Sequence, residues 1–163
     1  MSKPNKTQPD LSLSVQYGLQ EARLPRWRLR RWVQRAVQAA YTDGLVQFDR
    51  VQLSIRLVAA KEGRALNASY RQKDYATNVL TFEYGVMPDG TASGDIVVCM
   101  PVLLREAREQ HKKMLDHAAH LIIHGTLHAL GYDHIKVRQA IHMEALETSV
   151  LAKLGITDPY FLP

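Results

Sequence analysis

Eleven residues limit the fold of this chain more than any others: His124-Gly125-Thr126-Leu127-His128-Ala129-Leu130-Gly131-Tyr132-Asp133-His134. They close a stretch whose apolar pattern is helical from Pro101 to Leu130. Side chains four apart on a helix share a face, with Cβ atoms about 5–6 Å apart, so His124 and His128 can reach one ion. Gly131 can take the left-handed conformation that ends a helix and turns the chain back. His134 follows three residues later, placed to complete the set. Zinc takes imidazole nitrogen at about 2.0–2.1 Å, and three protein ligands leave a fourth position for water, as in catalytic sites. One zinc ion per chain on His124, His128 and His134 is therefore expected.

The chain has seven histidines, and the competing sets fail on geometry. His120, His124 and His128 share a face, but the outer pair is eight residues apart, about 12 Å at the helical rise. His117 with His124 fails in the same way. His120 reads as a supporting or core histidine, and His111, His117 and His142 receive no role. The spacing also matches the long zinc-protease pattern His-Glu-x-x-His-x-x-Gly-x-x-His, with one difference. Gly125 stands where those proteases carry their general-base glutamate. Peptide hydrolysis loses its base, while a metal-activated water could still attack a more reactive ester.

The rest of the chain reads as one α+β domain, with one mixed sheet of about four strands, about five helices and a zincin-like metal helix. At 163 residues and 18.5 kDa it is long enough for one core without staples. Strands are expected at Leu11–Tyr17, Val51–Leu57, Thr77–Tyr84 and Asp95–Met100. Helices are expected behind Pro25 up to Gly44, over Glu62–Gln72, as two pieces between Pro101 and Leu130, and from Val137 to Leu154. Residues 1–10 read as a loose tail. The single cysteine, Cys99, excludes an internal disulfide framework or a zinc ribbon and reads as a small buried hydrophobe. The longest apolar run, Ile96–Leu104, contains Pro101 and falls far short of the roughly 18 residues a membrane span needs. No apolar secretory core follows the first lysines, so a cytoplasmic location is expected.

Charge is uneven along the chain. Residues 1–64 hold 12 Lys and Arg against 5 Asp and Glu, whereas residues 65–163 hold 9 against 11. Arg23, Arg26, Arg28, Arg30, Arg31 and Arg35 cluster on and ahead of the first helix. Such a face suits a polyanion, although a solvated helix surface explains the charge alone. Trp27 and Trp32 read as surface and core packing.

Three blocks carry a resemblance to a known family. Leu66-Asn67-Ala68-Ser69-Tyr70-Arg71, followed by Thr77-Asn78-Val79-Leu80-Thr81-Phe82, is the first. Gly94-Asp95-Ile96 is the second. The histidine block, with Met143-Glu144-Ala145-Leu146-Glu147 and the ending from Leu154-Gly155 to Asp158-Pro159-Tyr160, is the third. Together they resemble the YbeY-type endoribonucleases, bacterial metal-dependent enzymes of ribosomal RNA maturation. Asn78 replaces the usual aspartate of that pattern, and Thr81 the usual serine.

The resemblance implies zinc on His124, His128 and His134 and makes Arg71 the functional arginine of the cleft. It also implies single-stranded RNA as substrate, acting at the 16S ribosomal RNA 3′ end and in ribosome quality control. The small ribosomal subunit would be a partner, with no membrane and no nucleotide cofactor. On this reading Arg28, Arg30 and Arg31 hold the RNA backbone, while Asn67, Tyr70 and Thr77 are packing residues. A metal-dependent hydrolase of small molecules or peptides is the alternative. A ribosome-binding factor with structural zinc is disfavoured, because structural sites are normally closed by four ligands.

Overall fold

β1 (Asp10–Tyr17), α1 (Arg26–Asp43) and β2 (Arg50–Val58) open the chain as a parallel strand–helix–strand unit. The structure is a computed structural model and describes residues 8–160. Residues 1–7 of the expected tail therefore lie outside the described residues. α1 buries Leu29, Trp32, Val33, Ala36, Val37 and Ala40, the six positions its 3.6-residue period picks out. Val51, Leu53, Ile55 and Leu57 of β2 are all buried beneath it. Each such aliphatic side chain contributes roughly 1.5–3 kcal/mol on leaving water, which is why alternation fixes the face each strand buries.

α2 (Ala60–Arg71) leads into β3 (Val79–Val86) and β4 (Thr91–Cys99), an antiparallel hairpin whose second strand lies parallel to β2. The sheet order is β1-β2-β4-β3, leaving β3 at one edge and β1 at the other. α3 (Met100–Glu109), α4 (Met114–Ala129) and α5 (Val137–Lys153) complete the expected single α+β domain. Ile96 and Val98 join the main core together with α1, α4 and α5 residues. Val97 and Cys99 point to the opposite face and pack with Val58, Leu80 and Val102 in a smaller cluster. Trp32 is buried and Trp27 exposed, as expected.

Two strand starts differ from the sequence expectation by more than one residue, each for a local reason, while β3 runs on to Val86 and Met100 opens α3 instead of closing β4. β3 starts at Val79 rather than Thr77, because the Asn78 side chain takes the Val79 amide proton at 2.6 Å and donates to Glu106 at 3.1 Å. An aspartate at 78 would set a second carboxylate against Glu106, so the amide suits this chain. β4 begins at Thr91 rather than Asp95. Thr91 to Gly94 are small and show no apolar alternation, yet β2 pairs with them on one side and β3 on the other.

α4 lies across β3 and β4, and Gly125 sets how closely. A Cβ there would stand 3.0 Å from Ile96 Cγ2 and 3.5 Å from Val79 Cγ2. Position 125 faces the sheet and has no room for a glutamate, which accounts for the departure from the protease pattern.

Candidate metal centre

α4 ends in a Schellman motif that aims the chain back at its own last turn. Gly131 has φ +111°, the Tyr132 amide donates to the Leu127 carbonyl at 3.1 Å, and the Gly131 amide donates to the His128 carbonyl at 3.1 Å. The turn is then bolted to two other helices. The Tyr132 hydroxyl donates to Asp43 Oδ2, on the last residue of α1, at 2.6 Å. His142 of α5 reaches the same oxygen at 3.0 Å, and its ring stacks on Tyr132 with 10° between planes. Tyr132 is buried, and burial and the Asp43 carboxylate push its hydroxyl far above the usual tyrosine range.

That turn brings His134 to His124 and His128. The ring centroids form a triangle with sides of 5.5, 5.5 and 6.2 Å, small enough for one nitrogen of each ring to meet a shared ion. The tautomers agree with this use. His128 Nδ1 lies 2.7 Å from the Tyr132 carbonyl, which only accepts, so Nδ1 carries the proton and Nε2 the lone pair. His124 Nδ1 lies 2.5 Å from Glu147 Oε1, with the same consequence. Metal-binding histidines regularly hold their second nitrogen this way.

Glu147 extends the network behind His124. It is fully buried on α5, and Oε2 accepts from His120 Nε2 at 3.2 Å and from the Tyr160 hydroxyl. Burial alone would raise its pKa. The hydrogen bonds from His120 and His124, the charge His124 can carry and the bond from Tyr160 outweigh burial and hold it at about 2. His120, His124 and Glu147 have donor atoms within 4.8 Å of one another and could themselves hold a metal ion, as could His128, Asp133 and His134. Glu147 does not line the cavity in front of the histidines, so His124 stands between the carboxylate and that space. Glu147→Gln keeps the shape and removes the charge. It should weaken the affinity for an ion held by the three imidazoles by roughly 10–100-fold, the usual cost of losing such a support, read by chelator competition. Unchanged affinity would make the pair structural only.

The cavity in front of the triad measures about 460 Å³ and opens along the β3 edge. His124, His128 and His134 form one wall, and Tyr70 and Arg71 of the last turn of α2, with Thr77 to Phe82, form the other. Arg71 is exposed and shares this space with the histidines, about fifty residues away in sequence. A guanidinium facing a three-imidazole site can bind an anionic group bidentately at a metal.

The family model for Endoribonuclease YbeY matches residues 15–155. The chain belongs to that family. It is 65% identical over 155 residues to endoribonuclease YbeY of Bordetella avium, covering 95% of this chain and 96% of that one. Identity to the Bordetella pertussis protein is 68% over 151 residues, covering 93% and 96%. Against the Burkholderia pseudomallei protein it is 49%, covering 93% and 81%. In structure, the fold is similar to the solution structure of TM1509 from Thermotoga maritima, with TM-score 0.56, 21% identity, and 93% of this chain and 100% of that one covered.

Within this family member the other residues singled out from sequence fall in different places. Arg28, Arg30 and Arg31 do not line the histidine cavity. Arg30 donates to the Leu11 carbonyl of β1, at the sheet edge opposite β3, and the Arg28 guanidinium stacks over Trp27 at 4.8 Å. Arg30, Arg31 and Arg35 instead border a separate groove of about 640 Å³ between α1 and β1. Asn67 is buried and donates to the Tyr75 carbonyl at 2.7 Å, a packing role as expected. Tyr70 and Thr77 depart from that expectation: both line the cavity, and Tyr70 is 65% exposed. Sequence alone assigns no role to Glu147, Tyr132, Asp43 or His142, although the structure ties each of them to the site. Only the pairing of Glu147 with His124 across two helices could have marked the first, and no sequence spacing encodes it.

Proposed function

We propose that this chain is a zinc-dependent endoribonuclease of single-stranded RNA, with His124, His128 and His134 as the zinc ligands and Arg71 as the phosphate-binding catalytic residue. The observation that carries the reading is the pair of committed Nδ1 atoms on His124 and His128, which leaves both Nε2 lone pairs for an ion beside Arg71. Held by those imidazoles, zinc would supply Lewis acidity at the cleaved phosphodiester. Glu147 and the Tyr132 carbonyl keep the two helix imidazoles in the ligating tautomer. Arg71 meets charge that builds on the nonbridging phosphate oxygens as the bond is cleaved. Gly125, closed in by the sheet, offers no carboxylate of the kind zinc proteases use, so an RNA phosphodiester fits better than a peptide.

On the same reading the biological substrate is precursor ribosomal RNA, at the 16S 3′ end and on defective ribosomes in the cytoplasm, with the small subunit as partner. Among the described residues no helix is long and apolar enough to cross a membrane. The purified protein should contain about one zinc per chain and cleave unpaired ribosomal RNA. A chelator should abolish cleavage and zinc should restore it. Activity that survives complete zinc removal contradicts the reading. The product ends identify the nucleophile: a 2′,3′-cyclic phosphate with a 5′-hydroxyl reports attack by the substrate's own 2′-hydroxyl, a 5′-phosphate with a 3′-hydroxyl attack by water.

The arginine groove shares no lining residue with the histidine cavity, and its proposed task is to hold the flanking backbone. Arg28→Gln, Arg30→Gln and Arg31→Gln together should weaken RNA binding and flatten its salt dependence, since fewer counterions are released. An unaltered slope of log Kd against log salt would assign the groove to solvent.

A further inference from the structure

We propose that Tyr70 is the stacking platform for one unpaired nucleobase beside the scissile phosphate, and that it enforces the choice of single-stranded RNA. The inference rests on the RNA reading above and deepens it. A tyrosine that only packs hides its ring, yet Tyr70 is 65% exposed while lining the same cavity as Arg71 and the three histidines. Its orientation is nevertheless set. Phe82 of β3 meets it edge to face, with centroids 4.9 Å apart and 73° between planes, which steadies the ring without covering it.

The backbone beneath Tyr70 is held as well. Gln72 ends α2 in the left-handed conformation, with its amide on the Ala68 carbonyl at 3.1 Å. Buried Asn67 pins the following loop through the Tyr75 carbonyl. An ordered aromatic face is thereby presented at the rim of a cavity of about 460 Å³, within the range of sites that enclose a small molecule. Adjacent residues divide one nucleotide between them: Arg71 takes the phosphate and Tyr70 the base. In an A-form duplex the base faces are stacked on their neighbours inside the helix, so only an unpaired base can reach the ring. Stacking on one aromatic ring tolerates all four bases, which makes Tyr70 a reader of strandedness rather than of sequence.

The test uses the full chain loaded with zinc and a short single-stranded RNA cleaved at one mapped bond, with an abasic ribose placed in turn at each flanking position. Tyr70→Ala should raise the half-saturating RNA concentration by roughly 10- to 100-fold, the range set by loss of one base–aromatic stack. Zinc content and melting temperature should stay close to those of the parent. Tyr70→Phe and Tyr70→Trp should restore binding, as a purely structural hydroxyl would not predict. One abasic position should cost the parent protein as much as Tyr70→Ala does and cost Tyr70→Ala nothing more. Losses that add at every abasic position, or binding within about twofold of the parent for Tyr70→Ala, overturn the assignment. A parent protein that cleaves none of the unmodified strands overturns the RNA reading as well, so the two failures are distinguishable.

Discussion

His124→Ala and His128→Ala are each expected to take zinc from about one per chain to a small fraction of that. Either change leaves two imidazoles where three had converged, with centroids 5.5 to 6.2 Å apart. The apoproteins should still fold. Both rings are only partly buried; removing His128 strands one carbonyl, Tyr132 O, at a cost of about 1 kcal/mol, whereas removing His124 leaves Oε1 of the buried Glu147 without its partner, so His124→Ala should melt lower than His128→Ala. Zinc at 1,000 times its Kd stabilises a folded protein by about 4 kcal/mol, so the parent should melt higher with zinc than without. The variants should show no such difference. Metal content near one per chain in both variants would remove the triad from the account.

Arg71→Ala should separate chemistry from metal binding. The side chain is exposed at the end of α2 and belongs to neither group of metal-capable side chains, so zinc content and melting temperature should not change. Cleavage should fall by roughly 100-fold or more, the scale set by removing one preorganised donor to a charge that develops in the transition state. RNA affinity should fall much less, because a contact strongest in the transition state raises rate more than binding. Arg71→Lys should rescue poorly, since an ammonium lacks the planar fork. The kinetic signature differs from that expected for Tyr70→Ala, where the larger change is in the half-saturating RNA concentration. Single-turnover cleavage at saturating RNA, measured with zinc content on one preparation, reads both. A full rate for Arg71→Ala would leave the cavity without its phosphate contact.

The parts of this molecule that were legible in sequence are those encoded by local periodicity. α1 buries the six positions its spacing selects, and Gly131 ends α4 where a left-handed residue was expected. His134 then returns to the other two histidines. Less local features were hidden. The β1-β2-β4-β3 order depends on which edges pair, and the small residues Thr91 to Gly94 give no alternation that announces a strand. Glu147 looks like one more helical glutamate until α5 packs on α4 and buries it against His124 and His120. Tyr70 reads as an ordinary amphipathic position, because its exposure follows from where α2 stops relative to β3. The arginines show the opposite limit. Their clustering is plain in the sequence, but only the fold shows that α1 presents Arg30 and Arg31 to a groove beside β1, on the far edge from the histidines.

Where the ion sits decides the matter, because three overlapping sets of side chains could hold one: His124, His128 and His134; His120, His124 and Glu147; and His128, Asp133 and His134. An anomalous difference map from crystals of the zinc-loaded protein, collected on both sides of the zinc absorption edge, locates it directly. One peak is expected in the cavity, bonded to nitrogen of His124, His128 and His134 at about 2.0–2.1 Å, with Glu147 still hydrogen-bonded to His124 Nδ1. A peak behind His124, between His120 and the Glu147 carboxylate, or one bonded to Asp133 in place of His124, would contradict the triad.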